Sequence, residues 1–163
     1  MLMLPCCHTI QFSNGRMKII PNDIFFAQIE SELAAGRSVS FKVKGNSMFP
    51  FLRNGKDTVQ VSPVKRQPVA GDIVLFKYKG HHVLHRIIKI EGDIHVIQGD
   101  GIYSSHECCG KEDIVGVVTH ISRNGGVPFS VDSFCWRFCS QLWSIFSFAR
   151  RYLLIFLRCL FVQ

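Results

Sequence analysis

Short runs in which apolar and polar side chains alternate, separated by turn-forming residues, fill the middle of the chain. This alternation is typical of β-strands with one buried face. It predicts strands at Ser38–Val43, Thr58–Ser62, Ile73–Tyr78, His82–Ile90, Ile94–Gln98 and Ile114–Ile121. Lys79-Gly80 and Gly92-Asp93 fit the tight turns of hairpins. Many short strands at this spacing favour a mainly β domain with a small, twisted, barrel-like sheet.

A short helix is predicted before the strands. Asn22 or Asp23 can cap its start, it runs to about Ala35, and Gly36 follows its end. The residues that share its apolar face are Phe25, Ile29 and Leu33. We expect this helix to cover one end of the sheet.

The composition changes at about Val131, and from there to Gln163 aromatic and aliphatic residues alternate with scattered arginines. At 100° per residue, one arc holds Arg137, Ser140, Ser144, Ser147, Arg151 and Arg158, and the opposite arc holds Leu142, Ile145, Phe146, Leu153, Phe156 and Leu160. The longest uncharged run, Phe138–Ala149, is shorter than the ~20 residues that span a bilayer. Two interpretations stay open: an amphipathic helix in the membrane interface, or a helix packed on the body or on a partner.

These patterns divide the 163 residues into a poorly ordered segment 1–16, one folded domain 17–130 and an amphipathic helical tail 131–163. The apolar start, Met1–Leu4, is too short for a signal peptide. The formal charge is +7, but four arginines lie in the tail after its last acid, Asp132, and the chain up to Asp132 holds 15 basic against 12 acidic residues. No basic recognition helix is evident, so we expect no nucleic-acid partner.

Cysteine usage favours a reducing compartment, because the number is odd and adjacent pairs rarely bridge each other. The seven cysteines are Cys6, Cys7, Cys108, Cys109, Cys135, Cys139 and Cys159. His106, Cys108 and Cys109 could bind a metal, although their spacing suits no familiar zinc site; the alternative is a polar loop with incidental thiols. We expect neither a metal nor a cofactor.

Three residues suggest hydrolytic chemistry. A serine hydroxyl needs a base within hydrogen-bond reach, imidazole can take its proton, and a carboxylate can orient the ring. Ser47, His85 and Asp100 could fill these roles. The alternatives are an ordinary strand-to-turn segment around Ser47 and a core histidine at His85, which alternation places on one face with Val83 and Ile87.

The flanking motifs resemble those of signal peptidase I and LexA-type serine peptidases. They occur in the family's order as Ser47-Met48-Phe49-Pro50, Gly71-Asp72-Ile73-Val74-Leu75-Phe76, His85-Arg86-Ile87 and Gly99-Asp100-Gly101, with Asp113-Ile114-Val115-Gly116 closing the domain. The resemblance covers about half the chain, from Ser38 to Asn124, and four ordered motifs are a strong signal. His85 stands where the family has its catalytic base. In this it is similar to the archaeal and endoplasmic-reticulum signal peptidases, which carry histidine at that point.

This resemblance implies Ser47 as nucleophile, His85 as base and Asp100 as the orienting acid. Gly45, Asn46, Met48 and Pro50 are expected to form the substrate or oxyanion site. Two positions depart from the family: Gly45 stands where bacterial members often have a serine, and Gly101 stands where asparagine usually follows the Gly-Asp pair.

The implied function is a serine endopeptidase that removes a leader or signal-type peptide. The alternatives are LexA-like self-cleavage and an inactive peptide-binding or membrane-associated scaffold with the same fold. The sequence shows no hydrophobic amino-terminal anchor of the signal-peptidase kind, which leaves the substrate open. We expect the protein to be membrane-associated, through the tail, or cytoplasmic.

Overall fold

The computed structural model describes residues 8–11, 17–20, 22–145 and 152, and the side-chain surroundings of residues 24–143 and 152. Its helices are α1 (Asn22–Ala34) and α2 (Phe134–Ile145), with a short 3-10 helix at Lys111–Asp113. Its strands are β1 (His8–Gln11), β2 (Met17–Ile20), β3 (Val39–Lys42), β4 (Asp57–Ser62), β5 (Ile73–Tyr78), β6 (His81–Glu91), β7 (Ile94–Gln98), β8 (Glu107–Cys109), β9 (Ile114–Arg123) and β10 (Phe129–Ser130).

One antiparallel sheet dominates the described part of the chain. Its strand order is β3-β4-β9-β5-β6-β7-β8, and β10 pairs with β9. The sheet curls into a half-barrel, which confirms the predicted mainly β, barrel-like fold. Each predicted strand is present, with ends within two residues of the prediction.

The amino-terminal hairpin is a feature that the sequence pattern did not indicate. β1 pairs with β2, and β1 falls within the segment 1–16 that was predicted to be poorly ordered. Residues 1–7 and 12–16 of that segment lie outside the described residues.

The hairpin turns follow the sequence prediction. Lys79 and Gly80 have φ angles of 48° and 78° between β5 and β6. A type I′ turn needs positive φ at both central residues, so this pair sets the register in which β5 and β6 align. Val74 thereby lies opposite His85.

Two apolar clusters lie on opposite faces of β6. The first is covered by α1, whose residues Phe25, Ile29 and Leu33 are buried as predicted. The second consists of Val74, Phe76, Ile87, Ile97, Cys109 and Ile114. Because side chains alternate along a strand, Leu84 packs on the first cluster while Val83 and Ile87 pack on the second. His85 and Arg86 therefore leave the same strand towards different faces.

Helix α2 packs on the body through Trp136 and Ser140, both of which are buried. The Trp136 ring meets Phe51 edge to face, with 5.2 Å between the ring centroids. On the other side of the helix, Phe134, Phe138 and Leu142 are exposed. The described part of the tail therefore packs on the body, and it also presents an apolar face outwards.

The rest of the predicted tail pattern lies outside the described side chains. This holds for Ser144, Ile145, Phe146, Ser147, Arg151, Leu153, Phe156, Arg158 and Leu160. Within the described ranges, no helix has the length and hydropathy needed to cross a bilayer.

Candidate active site

Ser47 lies in the loop between β3 and β4, at the start of a tight turn. The turn is closed by hydrogen bonds from Phe49 N–H to the Asn46 carbonyl (3.2 Å) and from Leu52 N–H to the Met48 carbonyl (2.9 Å). Met48, Phe49 and Leu52 are buried. These side chains fix the turn in the core and leave Ser47 partly exposed at the surface.

The residues expected to surround the nucleophile take different positions. Gly45 and Asn46 are exposed, and Pro50 is half-buried after a cis Phe49–Pro50 peptide bond. The side chain of Met48 belongs to the core, so only its backbone can contribute to an oxyanion site. The N–H groups of Ser47 and Met48 donate to no acceptor among the residues that the structure describes.

Gly45 begins this loop in a conformation that suits glycine. Its φ angle is +91°, a region that other residues rarely adopt. Its N–H donates to Asn54 Oδ1 at 3.0 Å, which ties the beginning of the loop to its end.

His85 is buried on β6 beside the ring of Phe76. Its Nδ1 atom lies 3.1 Å from Oε2 of Glu107, on β8. Burial lowers the pKa of His85 below its usual value, although the Glu107 carboxylate and, more weakly, Asp100 act to raise it. An imidazole with a lowered pKa is neutral near pH 7 and can accept a proton.

Gly99 lies against both the His85 ring and the Ser47 backbone. A Cβ atom on Gly99 would lie 3.0 Å from His85 Nε2 and would overlap the carbonyl oxygen of Ser47. The Nε2 side of the ring therefore faces the turn that carries Ser47. Ser47 Oγ and His85 share no hydrogen bond in the described part of the chain, and such bonds often tighten only when substrate binds.

Gly101 continues this close approach. Its N–H donates to the Ser47 carbonyl at 2.7 Å, and a Cβ atom there would lie only 2.5 Å from the Asn46 carbonyl. Two glycines thus let the Gly99–Gly101 backbone lie directly against the turn that carries Ser47. This contact gives a physical reason for the Gly-Asp-Gly motif.

Asp100, between these glycines, is bound to Arg86. Both carboxylate oxygens accept from the guanidinium, from Nε at 2.9 Å and from Nη2 at 2.8 Å, and each side chain is 2% exposed. Arg86 Nη1 also donates to the Gly71 carbonyl at 2.8 Å. Sequence reasoning gave Asp100 the role of orienting His85. In the structure the buried guanidinium holds Asp100, and the carboxylate in contact with Nδ1 belongs to Glu107.

Helix α2 covers this ion pair. The guanidinium of Arg86 lies over the rings of Phe51 and Trp136, at 5.0 and 6.0 Å from their centroids. Trp143 Nε1 donates to the Asp100 carbonyl at 3.1 Å. The tail helix is therefore in direct contact with the segment that carries Gly99 and Gly101.

Sequence reasoning missed Glu107 and the partner of Arg86. Glu107 lies in a strand of three residues without any motif, and only the pairing of β7 with β8 brings it near His85. Arg86 was part of a recognised motif, but its partner depends on the fold. The sequence contains no local signal for either contact.

The possible metal ligands do not converge in the described part of the chain. Cys108 is exposed and Cys109 is buried, because neighbouring residues of β8 point to opposite faces. No group of three or more histidine, cysteine or acidic residues that could hold a metal occurs among the described residues. Burial raises the pKa of the Cys109 thiol to about 11, so this thiol stays protonated near neutral pH.

Comparison with known proteins agrees with the motifs. The family model described as Peptidase S24-like matches residues 9–119, a range that includes Ser47, His85 and Asp100. The match confirms the resemblance to the signal peptidase and LexA superfamily. A search of curated proteins finds no significant relative.

We expect Gly99→Ala to separate Ser47 from His85, because the new methyl group meets backbone atoms that cannot rotate away. A displacement of about 1 Å can lower a reaction rate by about 100-fold. The measurement is the rate at which a serine-directed acylating reagent labels Ser47. Gly126→Ala, in the turn before β10, is the control. Equal labelling of both variants would contradict this role of Gly99.

Asp100→Asn should destabilise the fold by about 3–5 kcal/mol, because it leaves the buried charge of Arg86 without its partner. Denaturant midpoints compare it with Asp93→Asn, a matched change in an exposed turn that should stay within about 0.5 kcal/mol of wild type. Replacing both partners, as in Arg86→Met with Asp100→Leu, should recover part of the loss. If Asp100→Asn unfolds at the wild-type midpoint, the pair has no stabilising role.

Proposed function

Because the chain belongs to the Peptidase S24-like family, we propose that it is a serine endopeptidase with Ser47 as nucleophile and His85 as general base. Family membership by itself supports a peptidase or a self-cleaving function in general. The observation that carries the finer assignment is the approach of His85 Nε2 to the nucleophile turn across Gly99.

The proposed mechanism uses both nitrogens of the buried imidazole. Nε2 takes the hydroxyl proton as Ser47 Oγ bonds to the scissile carbonyl carbon, and it returns that proton to the amine as the C–N bond breaks. A water molecule, activated at the same nitrogen, then hydrolyses the acyl-enzyme. The backbone N–H groups of Ser47 and Met48 are the donors available to the oxyanion.

The proposed substrate is an extended leader or signal-type peptide. β3 ends just before the loop of Ser47 and is the last strand on its side of the large sheet in the described residues, with β1 of the amino-terminal hairpin lying close to it. A strand in this position can bind an extended peptide through main-chain hydrogen bonds, with side-chain selection by shallow pockets. LexA-like self-cleavage and an inactive peptide-binding scaffold are the alternatives that the experiment below distinguishes.

We further propose that the enzyme acts at an anionic membrane surface, to which α2 binds. Phe134 and Phe138 are 82% and 52% exposed, and their rings stack with centroids 6.1 Å apart. Leu142 extends this apolar stripe by one more turn of the helix. The tail supplies four arginines and has no acid after Asp132. Arg137 is paired with Asp132 at 3.2 Å, and the charge of the other three is one that anionic lipid headgroups complement.

Ser47→Ala and His85→Ala should each lower the cleavage of a peptide library at least about 100-fold, because each removes a group that moves the proton or forms the acyl bond. Ser104→Ala and His81→Ala, both at exposed positions, should cleave as wild type does. The cut sites define the substrate class, and a cut within the chain itself would favour self-cleavage. Folded wild-type protein that neither cleaves peptides nor reacts at Ser47 would favour the binding scaffold.

Phe134→Ser and Phe138→Ser should each weaken binding to vesicles that contain phosphatidylglycerol by about tenfold or more, since burial of a phenylalanine contributes about 1.5–3 kcal/mol. Co-sedimentation of the full chain measures this binding. Ile94→Ser changes an exposed apolar residue on β7 and is the control. Unchanged binding of both phenylalanine variants would overturn the lipid proposal.

A further inference from the structure

The carboxylate of Glu107 has no role in the motifs, yet it contacts the proposed base. Its side chain is 17% exposed, and Oε2 lies 3.1 Å from His85 Nδ1. The ring of His85 thus has different surroundings at its two nitrogens. Nδ1 meets an acid, and Nε2 faces the turn that carries Ser47.

We propose that Glu107 is the positioning acid of His85, which makes the site a Ser47–His85–Glu107 triad. This inference rests on the function proposed above. Glu107 touches no reacting atom and acts through the imidazole.

The register of the sheet explains how residues on β6 and β8 meet. Ile97 on β7 pairs with Ile87 on one side and with Glu107 on the other. His85 is two residues from Ile87 and therefore lies on the same face of the sheet. The backbones of β6 and β8 are about 10 Å apart, so two long side chains are needed to bridge them.

A contact at Nδ1 has a defined chemical effect. An ionised carboxylate can only accept hydrogen bonds, so Nδ1 carries the proton and donates a hydrogen bond to Glu107 Oε2. The lone pair is then on Nε2, towards Ser47, where a general base needs it. When Nε2 takes the hydroxyl proton, the charge of Glu107 stabilises the imidazolium that forms.

Two acids, Glu107 and Asp100, raise the pKa of His85, and they have different hydrogen-bond partners. Glu107 contacts it from β8, while Asp100, from the segment after β7, acts at longer range and is bound to Arg86 on β6. Burial lowers the pKa of His85, and removal of the Glu107 charge takes away the main effect that opposes it. The pKa of His85 then falls further below its usual value, and the loss of activity in acid moves to lower pH.

The test compares wild type with Glu107→Gln, which keeps the shape and removes the charge. Glu112→Gln, at an exposed position in the 3-10 helix, is the matched control. Histidine-ring NMR titration of the full chain measures the pKa of His85, and the pH profile of peptide cleavage measures kcat and KM.

We expect Glu107→Gln to lower the pKa of His85 and the acid limb of kcat/KM together. It should also lower kcat at least about tenfold with little change in KM, whereas Glu112→Gln changes neither. Glu107→Asp keeps the charge but is shorter by one methylene group. It should recover the pKa in part and kcat less, and it serves as the second variant if Glu107→Gln does not fold.

Two failures can be told apart. If cleavage needs Ser47 and His85 but Glu107→Gln leaves kcat and the pKa of His85 unchanged, the triad is overturned and the peptidase stands. If wild type neither cleaves peptides nor is acylated at Ser47, the peptidase and the positioning role fall together, even where the NMR titration registers the contact.

Discussion

The buried ion pair of Arg86 and Asp100 is the constraint on which the site depends. Two charges that are almost fully removed from water are tolerated only with close geometry and satisfied hydrogen bonds. Here Arg86 fulfils this by binding both oxygens of Asp100 and the Gly71 carbonyl. His85 adjoins Arg86 in sequence, and Gly99 adjoins Asp100. The pair therefore fixes the strand that carries the proposed base, His85, against the segment that touches the turn of Ser47.

Much of the fold could be predicted from sequence because its strands are encoded locally. Alternation on β6 put His85 and Arg86 on opposite faces, and Lys79-Gly80 fixed the hairpin that sets their register. Helix α1 had a regular apolar face. The nucleophile and the base could also be proposed, since each lies within a recognisable motif. These features need only neighbouring residues to be specified.

The contacts between distant segments could not be predicted in the same way. Which acid meets His85 and which meets Arg86 depends on how β6, β7 and the short β8 align. Glu107 and Asp100 could each pair with His85 or with Arg86, and the composition of the chain does not decide which pairing forms. The same limit applies to α2: its arcs were evident from sequence, but only packing on Phe51 decided that Trp136 faces inwards.

The position of the tail helix also determines what the intrinsic fluorescence of the protein reports. The chain has two tryptophans, Trp136 and Trp143, and both belong to α2. One packs over the guanidinium of Arg86, and the other donates to the backbone of Asp100. Intrinsic tryptophan fluorescence therefore arises entirely where α2 contacts Arg86 and Asp100. It is an internal reporter of helix docking, whereas events at the far end of the sheet leave it unchanged as long as α2 remains in place.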